Sequence, residues 1–125
     1  MKHRARAQAT VELAVVFPLL VLVATALLQF AIYYHARNVV VAAVQEGARA
    51  AAALDGSEDA GEERARAVLR AGLGEPVRRN IDLHRPVIGA ELVRMEAEGS
   101  MRLFIGQLPL NVVAEVSRER FRGAP

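Results

Sequence analysis

The sequence contains no cysteine, which excludes disulfides, thiolate catalysis and cysteine-ligated zinc. It lacks a basic body as well. Three of the 16 basic residues and one of the 14 acidic residues fall within positions 1–34, leaving 13 of each in the remainder. A formally neutral body argues against nucleic-acid binding, which needs a surface that neutralises phosphates. The three histidines, His3, His35 and His84, are scattered, with no pair at metal-ligand spacing. No glycine-rich phosphate loop is present, and the Gly-Leu-Gly at 72–74 reads as a helix stop. Ser57, Ser100 and Ser117 stand outside any nucleophile motif. These absences predict no enzyme, no cofactor, no metal and no small-molecule substrate.

What the chain does have is a long apolar run. Leu13 to Tyr34 is a stretch of 22 residues without a formal charge. As a helix it is about 33 Å long, enough to cross a hydrocarbon layer about 30 Å thick. A soluble protein of 125 residues cannot surround a helix that is apolar on all sides. A cleaved secretory signal has a shorter apolar core followed by a small-residue site. The run therefore reads as a membrane span. Lys2, Arg4 and Arg6 before it hold the N-terminus in the cytoplasm and send the C-terminal body outside, while Tyr33 and Tyr34 suit the membrane–water boundary.

The helical pattern continues beyond Tyr34 through "HARNVVVAAVQEGARAAAAL", so one helix is expected from about Thr10 to Leu54. Asn38, Gln45, Glu46 and Arg49 form a narrow polar stripe, with Glu46 and Arg49 at pairing distance of three residues. Gly47, costly in a helix interior, predicts close packing or a kink. Asp59 with Glu62 has capping-box spacing and opens a short amphipathic helix with Ala65, Val68, Leu69 and Leu73 on one face, ended by Gly74 and Pro76. Past Pro76 the period becomes two. Ile81 and Leu83, then Val93, Met95 and Ala97, then Val112, Ala114 and Val116 face one way, with Gly-Ser at 99–100 as a turn signal. "MRLFIG" at 101–106 is either a fourth strand or an apolar loop. The expected fold is α+β: a long N-terminal helix, a short amphipathic helix and a small antiparallel sheet of three or four strands. The expected organisation is a basic leader and processing region at 1–12, a transmembrane helix at 13–34 and an exported domain at 35–125.

Two residues look misplaced at the mouth of the run: the carboxylate Glu12 and the helix breaker Pro18. "QATVELAVVFPLL" at Gln8–Leu20 followed by "QEGARAAA" at Gln45–Ala52 resembles the TadE-like family, small pilin-like proteins of the tight adherence branch of type IV pilus machinery. "LPLNVVAEVSRERF" at the other end loosely resembles the family's last strand. The resemblance implies a pilin-like fold and a minor pseudopilin role in assembling such a pilus, a system related to type II secretion. It implies partners among other pilin-like subunits, pilus-assembly membrane proteins, a prepilin peptidase and lipid. It also implies a cut between Ala7 and Gln8 that makes Glu12 the fifth residue of the mature chain. Glu12, Pro18, Glu46, Gly47 and Arg49 are then expected in helix packing and assembly. The protein is expected in the cell membrane as a single-pass subunit, or in the pilus it helps to build. The bland alternative for the odd pair is an interfacial glutamate and a tolerated proline. The alternative for the protein is an uncleaved, membrane-anchored accessory subunit that binds a partner through its exported domain.

Overall fold

A computed structural model describes residues 2–119, with the backbone alone for residues 2–7 and Ala9. Its first element, α1 (Lys2–Ala52), runs for 51 residues. It begins well before the expected Thr10, because Arg, Ala and Gln between positions 4 and 9 are all strong helix formers. The chain divides into two units, Met1–Ile32 and Tyr33–Pro125.

In the first unit the described side chains of α1 are nearly all exposed, Leu13, Phe17, Leu20 and Leu28 among them. Apolar groups exposed on every side of a helix fit a surround of lipid or partner subunits. Thr25, a polar residue inside the run, donates its hydroxyl to the carbonyl of Val21 at 2.8 Å, which satisfies it within the helix. Pro18 lies inside α1 without ending it.

In the second unit α1 buries Ala36, Val40, Ala43, Val44, Ala48, Ala51 and Ala52, a stripe at helical spacing. Two further helices follow: α2 (Glu58–Gly72) and the single turn α3 (Glu75–Arg78). α2 buries Ala65 and Leu69, the face expected from its periodicity. Its cap differs from expectation. Ser57, and not Asp59, is the N-cap, its hydroxyl accepting from the Ala60 N–H at 3.1 Å. The helix thus starts one residue before Asp59, which falls in its first turn with Glu58, where negative charge suits the helix dipole. Pro76 sits in the first turn of α3, a position proline tolerates.

The sheet has five strands: β1 (Ile81–Leu83), β2 (Val87–Ile88), β3 (Leu92–Leu103), β4 (Gly106–Pro109) and β5 (Val112–Ser117). β3 is central, and every pairing to it is antiparallel. β1 and β2 occupy one edge. β4 and β5 occupy the other in one register, Ser100 facing Pro109 and Ala97 facing Val112. The two are therefore one hairpin arm interrupted at Leu110–Asn111. The Gly99-Ser100 pair does not turn the chain. β3 runs through it because the Gly99 carbonyl accepts from Leu110 N–H at 2.8 Å and its N–H donates to the Asn111 side chain at 3.3 Å. The open question at 101–106 resolves as the end of β3 plus a turn at Phe104–Ile105, with Gly106 (φ 137°) carrying the positive φ that starts the return strand. Val93, Met95 and Ala97 are fully buried and face the helices, each large one contributing roughly 1.5–3 kcal/mol by leaving water.

Candidate functional site

The residues that stand out in the sequence fall in two places on α1. In the first unit Gln8 and Glu12 are both exposed and, four residues apart on a helix, share one face. Pro18 is exposed too, and its missing N–H leaves the Ala14 carbonyl without its usual helical partner. The side chain of Ala7 lies outside the described residues; its backbone is helical.

In the second unit Glu46, Gly47 and Arg49 sit where α1 crosses α2. A Cβ at Gly47 would lie 2.8 Å from the Gly61 carbonyl oxygen, 2.8 Å from Ala65 Cβ and 2.5 Å from Met95 Sδ. A Cβ at Gly61 would lie 2.8 Å from both the Gly47 carbonyl oxygen and Ala51 Cβ. Of the two expectations for Gly47, close packing is the one realised. Gly61, Ala65 and Met95 complete this crossing; Ala65 and Met95 were expected to face a core, but Gly61 and the meeting of all three at Gly47 escaped the sequence reading. A small-residue signal was available for the helices, since Gly47 with Ala51 and Gly61 with Ala65 both have the four-residue spacing that lets backbones approach. Nothing in the sequence pointed Met95 at Gly47 in particular.

Charge flanks this crossing. Glu46 accepts from Arg49 at 3.1 Å, the expected pair, and from Arg64 of α2 at 3.3 Å. Glu62 accepts from Arg66 at 2.7 Å and Arg85 at 3.0 Å, and Arg85 also pairs with Asp59. The Arg66 hydrogen bond holds the Glu62 carboxyl below the usual carboxylate range. Desolvation opposes this, and the charges of Arg66 and Arg85 reinforce it. Exposed pairs of this kind contribute little each, so the crossing rests chiefly on contact.

Tyr33, expected at the membrane–water boundary, and His35 both bond within the body. The Tyr33 hydroxyl donates to the Pro109 carbonyl at 2.8 Å, while its ring packs on the core. Tyr34 stays exposed. His35 Nε2 lies 3.2 Å from the Gly72 carbonyl, tying α1 to the end of α2. A cleft of about 380 Å³ between α2, α3 and β1 is lined by Arg66, Arg70, Arg78 and Arg79, but Arg66 and Arg79 are already paired with Glu62 and Glu75. Among the described residues no three metal-ligating side chains converge.

No curated protein and no solved structure matches the chain. A family does match its N-terminal third, without extending to the last strand. Over residues 7–49, a range that takes in Ala7, Gln8, Glu12, Pro18, Glu46, Gly47 and Arg49, the chain matches the family described as TadE-like protein.

Proposed function

We propose that this chain is a minor pseudopilin-like structural subunit in the assembly of a tight adherence pilus, anchored in the cell membrane by the apolar part of α1. The observation that carries the reading is the family match over residues 7–49 on a helix whose described apolar side chains are nearly all exposed in the first unit. Such a helix is stable in lipid, and equally in a bundle of its own kind.

In this reading a prepilin peptidase cuts between Ala7 and Gln8. The new amine at Gln8 then stands one helical turn from Glu12. A carboxylate facing lipid costs about 2.5–3.5 kcal/mol at mid-membrane and less toward the boundary. An amine from the same chain or a neighbour offsets that cost and sets the register between subunits. Pro18 supplies a weak point in the helix as it leaves the bilayer for the assembly. The body is outside, and the partners are other pilin-like subunits and pilus-assembly membrane proteins.

The mass of the protein extracted from membranes that contain the peptidase tests this. Loss of residues 1–7 is expected, and an intact Met1 form alone rejects the cut. A second reading, an uncleaved accessory subunit that binds a partner through its exported domain, rests on Ala7 standing where many prepilins have glycine. Under it the chain stays intact, and the partner is retained when Glu12 is replaced.

A further inference from the structure

The corner that joins α1 to α2 is fixed by the backbone. Ala53 N–H donates to the Arg49 carbonyl at 3.1 Å, and Gly56 N–H donates to the Ala53 carbonyl at 2.9 Å. A Cβ at Gly56 would run into the Ala50 and Ala51 carbonyl oxygens, so the chain turns tightly against the end of α1. Leu54 stands on this corner 54% exposed, with Asp55 exposed beside it and Glu58 exposed at the start of α2. A single exposed leucine is ordinary on a protein surface. The charges around it are what need an account.

At the other end of α2 lies the cleft of about 380 Å³ between α2, α3 and β1. Buried Leu69 and Leu83 and half-buried Ile81 give it an apolar floor. Four arginines and one carboxylate, Glu75, complete its lining. The 15 residues of α2 separate the corner from the cleft by about 22 Å. Both features belong to the single unit Tyr33–Pro125.

The body neutralises its charges between these two ends and leaves opposite signs over at each. Arg64 pairs with Glu46, Arg66 with Glu62, Arg79 with Glu75, and Arg85 with Asp59 and Glu62. Among the described residues, Arg70 and Arg78 of the cleft have no carboxylate partner, and Asp55 and Glu58 of the corner have no cationic one. Arg78 is steadied by its hydrogen bond to the Leu73 carbonyl at 3.4 Å. The helix dipole accounts for Glu58 in the first turn of α2 and Arg70 in the last. It does not call for Arg78, Asp55 or Leu54. An apolar knob ringed by carboxylates is complementary to an apolar floor ringed by guanidinium groups, the arrangement of an anchor residue inside a polar rim.

We propose that the Leu54 corner of one copy of this chain seats in the arginine cleft of the next, with Leu54 on the apolar floor and Asp55 and Glu58 facing Arg70 and Arg78. The two surfaces are different patches of one body, so the contact is head-to-tail and each copy keeps one free surface at either end. Such a contact propagates along a row of copies and does not stop at a symmetric pair. It lies wholly in the body and stands independently of the cut at Ala7.

The chain has no cysteine, so introduced thiols report single positions. Ala60→Cys, near the corner, and Ala71→Cys, beside Arg70, replace exposed residues and are placed in separate full-length copies with tags of different mass. The copies are mixed in detergent micelles and treated with a short bismaleimide. The expected result is a product joining positions 60 and 71. Arg70→Glu with Arg78→Glu in the second copy lowers it about tenfold, because like charges set face to face reject a partner. Asp55→Arg with Glu58→Arg in the first copy does the same, and combining the two reversed copies restores the product, which separates lost contact from lost folding. Leu54→Ser, a change at an exposed position, lowers it severalfold. Salt of about 1 M, which shortens the screening length to about 3 Å, lowers it too. A product that persists through charge reversal, Leu54→Ser and salt arises from another contact and overturns the proposal. A product joining 71 to 71 in place of 60 to 71 shows one face meeting itself and overturns the head-to-tail contact. No product from the unreversed copies gives the cleft to a different partner and overturns the contact between copies. The mass of the protein reads the cut at Ala7 separately, so either result leaves the other open to its own test.

Discussion

Gly47 and Gly61 stand with their backbones in contact: a Cβ on either would lie 2.8 Å from the carbonyl oxygen of the other. The relationship is reciprocal, so neither residue accepts a side chain while the other stays in place. It sets how closely α1 and α2 approach, and hence whether Met95 from the sheet reaches both helices.

Gly47→Ala is expected to destabilise the body. The helix gains up to about 1 kcal/mol of intrinsic propensity, but overpacking against rigid backbone costs about 1–3 kcal/mol. A net loss is read as a lower midpoint in thermal unfolding of the full chain in micelles, followed by circular dichroism. A raised midpoint would mean that the two helices do not touch there.

Met95→Ala is expected to cost about 2–5 kcal/mol, as for other large core residues. It also removes one of the three groups that crowd a Cβ at Gly47. The two substitutions therefore combine less than additively, and the double-mutant cycle measures the shortfall. Strict additivity would separate Met95 from the crossing.

Glu62 makes a pH-dependent contribution. Its folded carboxyl titrates below the ordinary value of 4.5, chiefly because of the Arg66 hydrogen bond. The stabilisation is present above that ordinary value and lost as pH falls through the folded one. Glu62→Gln lacks it at every pH. The wild-type protein is expected to exceed the variant above pH 4.5, with the two converging on acidification. A gap that widens toward acid contradicts the assignment.

Glu12→Ala is expected to leave the protein inserted but to abolish its incorporation into assembled complexes, because the run becomes more apolar while the partner for a neighbouring amine is lost. Carbonate extraction reads insertion, and co-purification of pilus components reads assembly. Assembly at the wild-type level favours the uncleaved accessory reading.

The long helix, the amphipathic face of α2 and the alternating residues of β1, β3 and β5 were legible because burial repeats at 3.6 or 2 residues whatever lies opposite. Ala65, Leu69, Val93 and Met95 need only an apolar neighbour, so their pattern survives without knowledge of which one. Punctuation was read less well. Gly99-Ser100 looked like a turn, but its backbone groups are satisfied by Leu110 and Asn111, partners far along the chain. The expected sheet of three or four strands is accordingly one of five, with the two-residue β2 below what periodicity registers.

The sequence by itself determined that α1 carries an apolar run with basic residues before it and Glu12 at its mouth. Those properties are local, set by which residues stand next to one another. The tertiary structure decided that Gly47 meets Gly61, that Tyr33 bonds Pro109 and that Phe104 and Ile105 form the β3–β4 turn. Each joins positions at least 14 residues apart in the numbering or depends on strand register, and no local pattern records which distant backbone a small residue is kept small to admit.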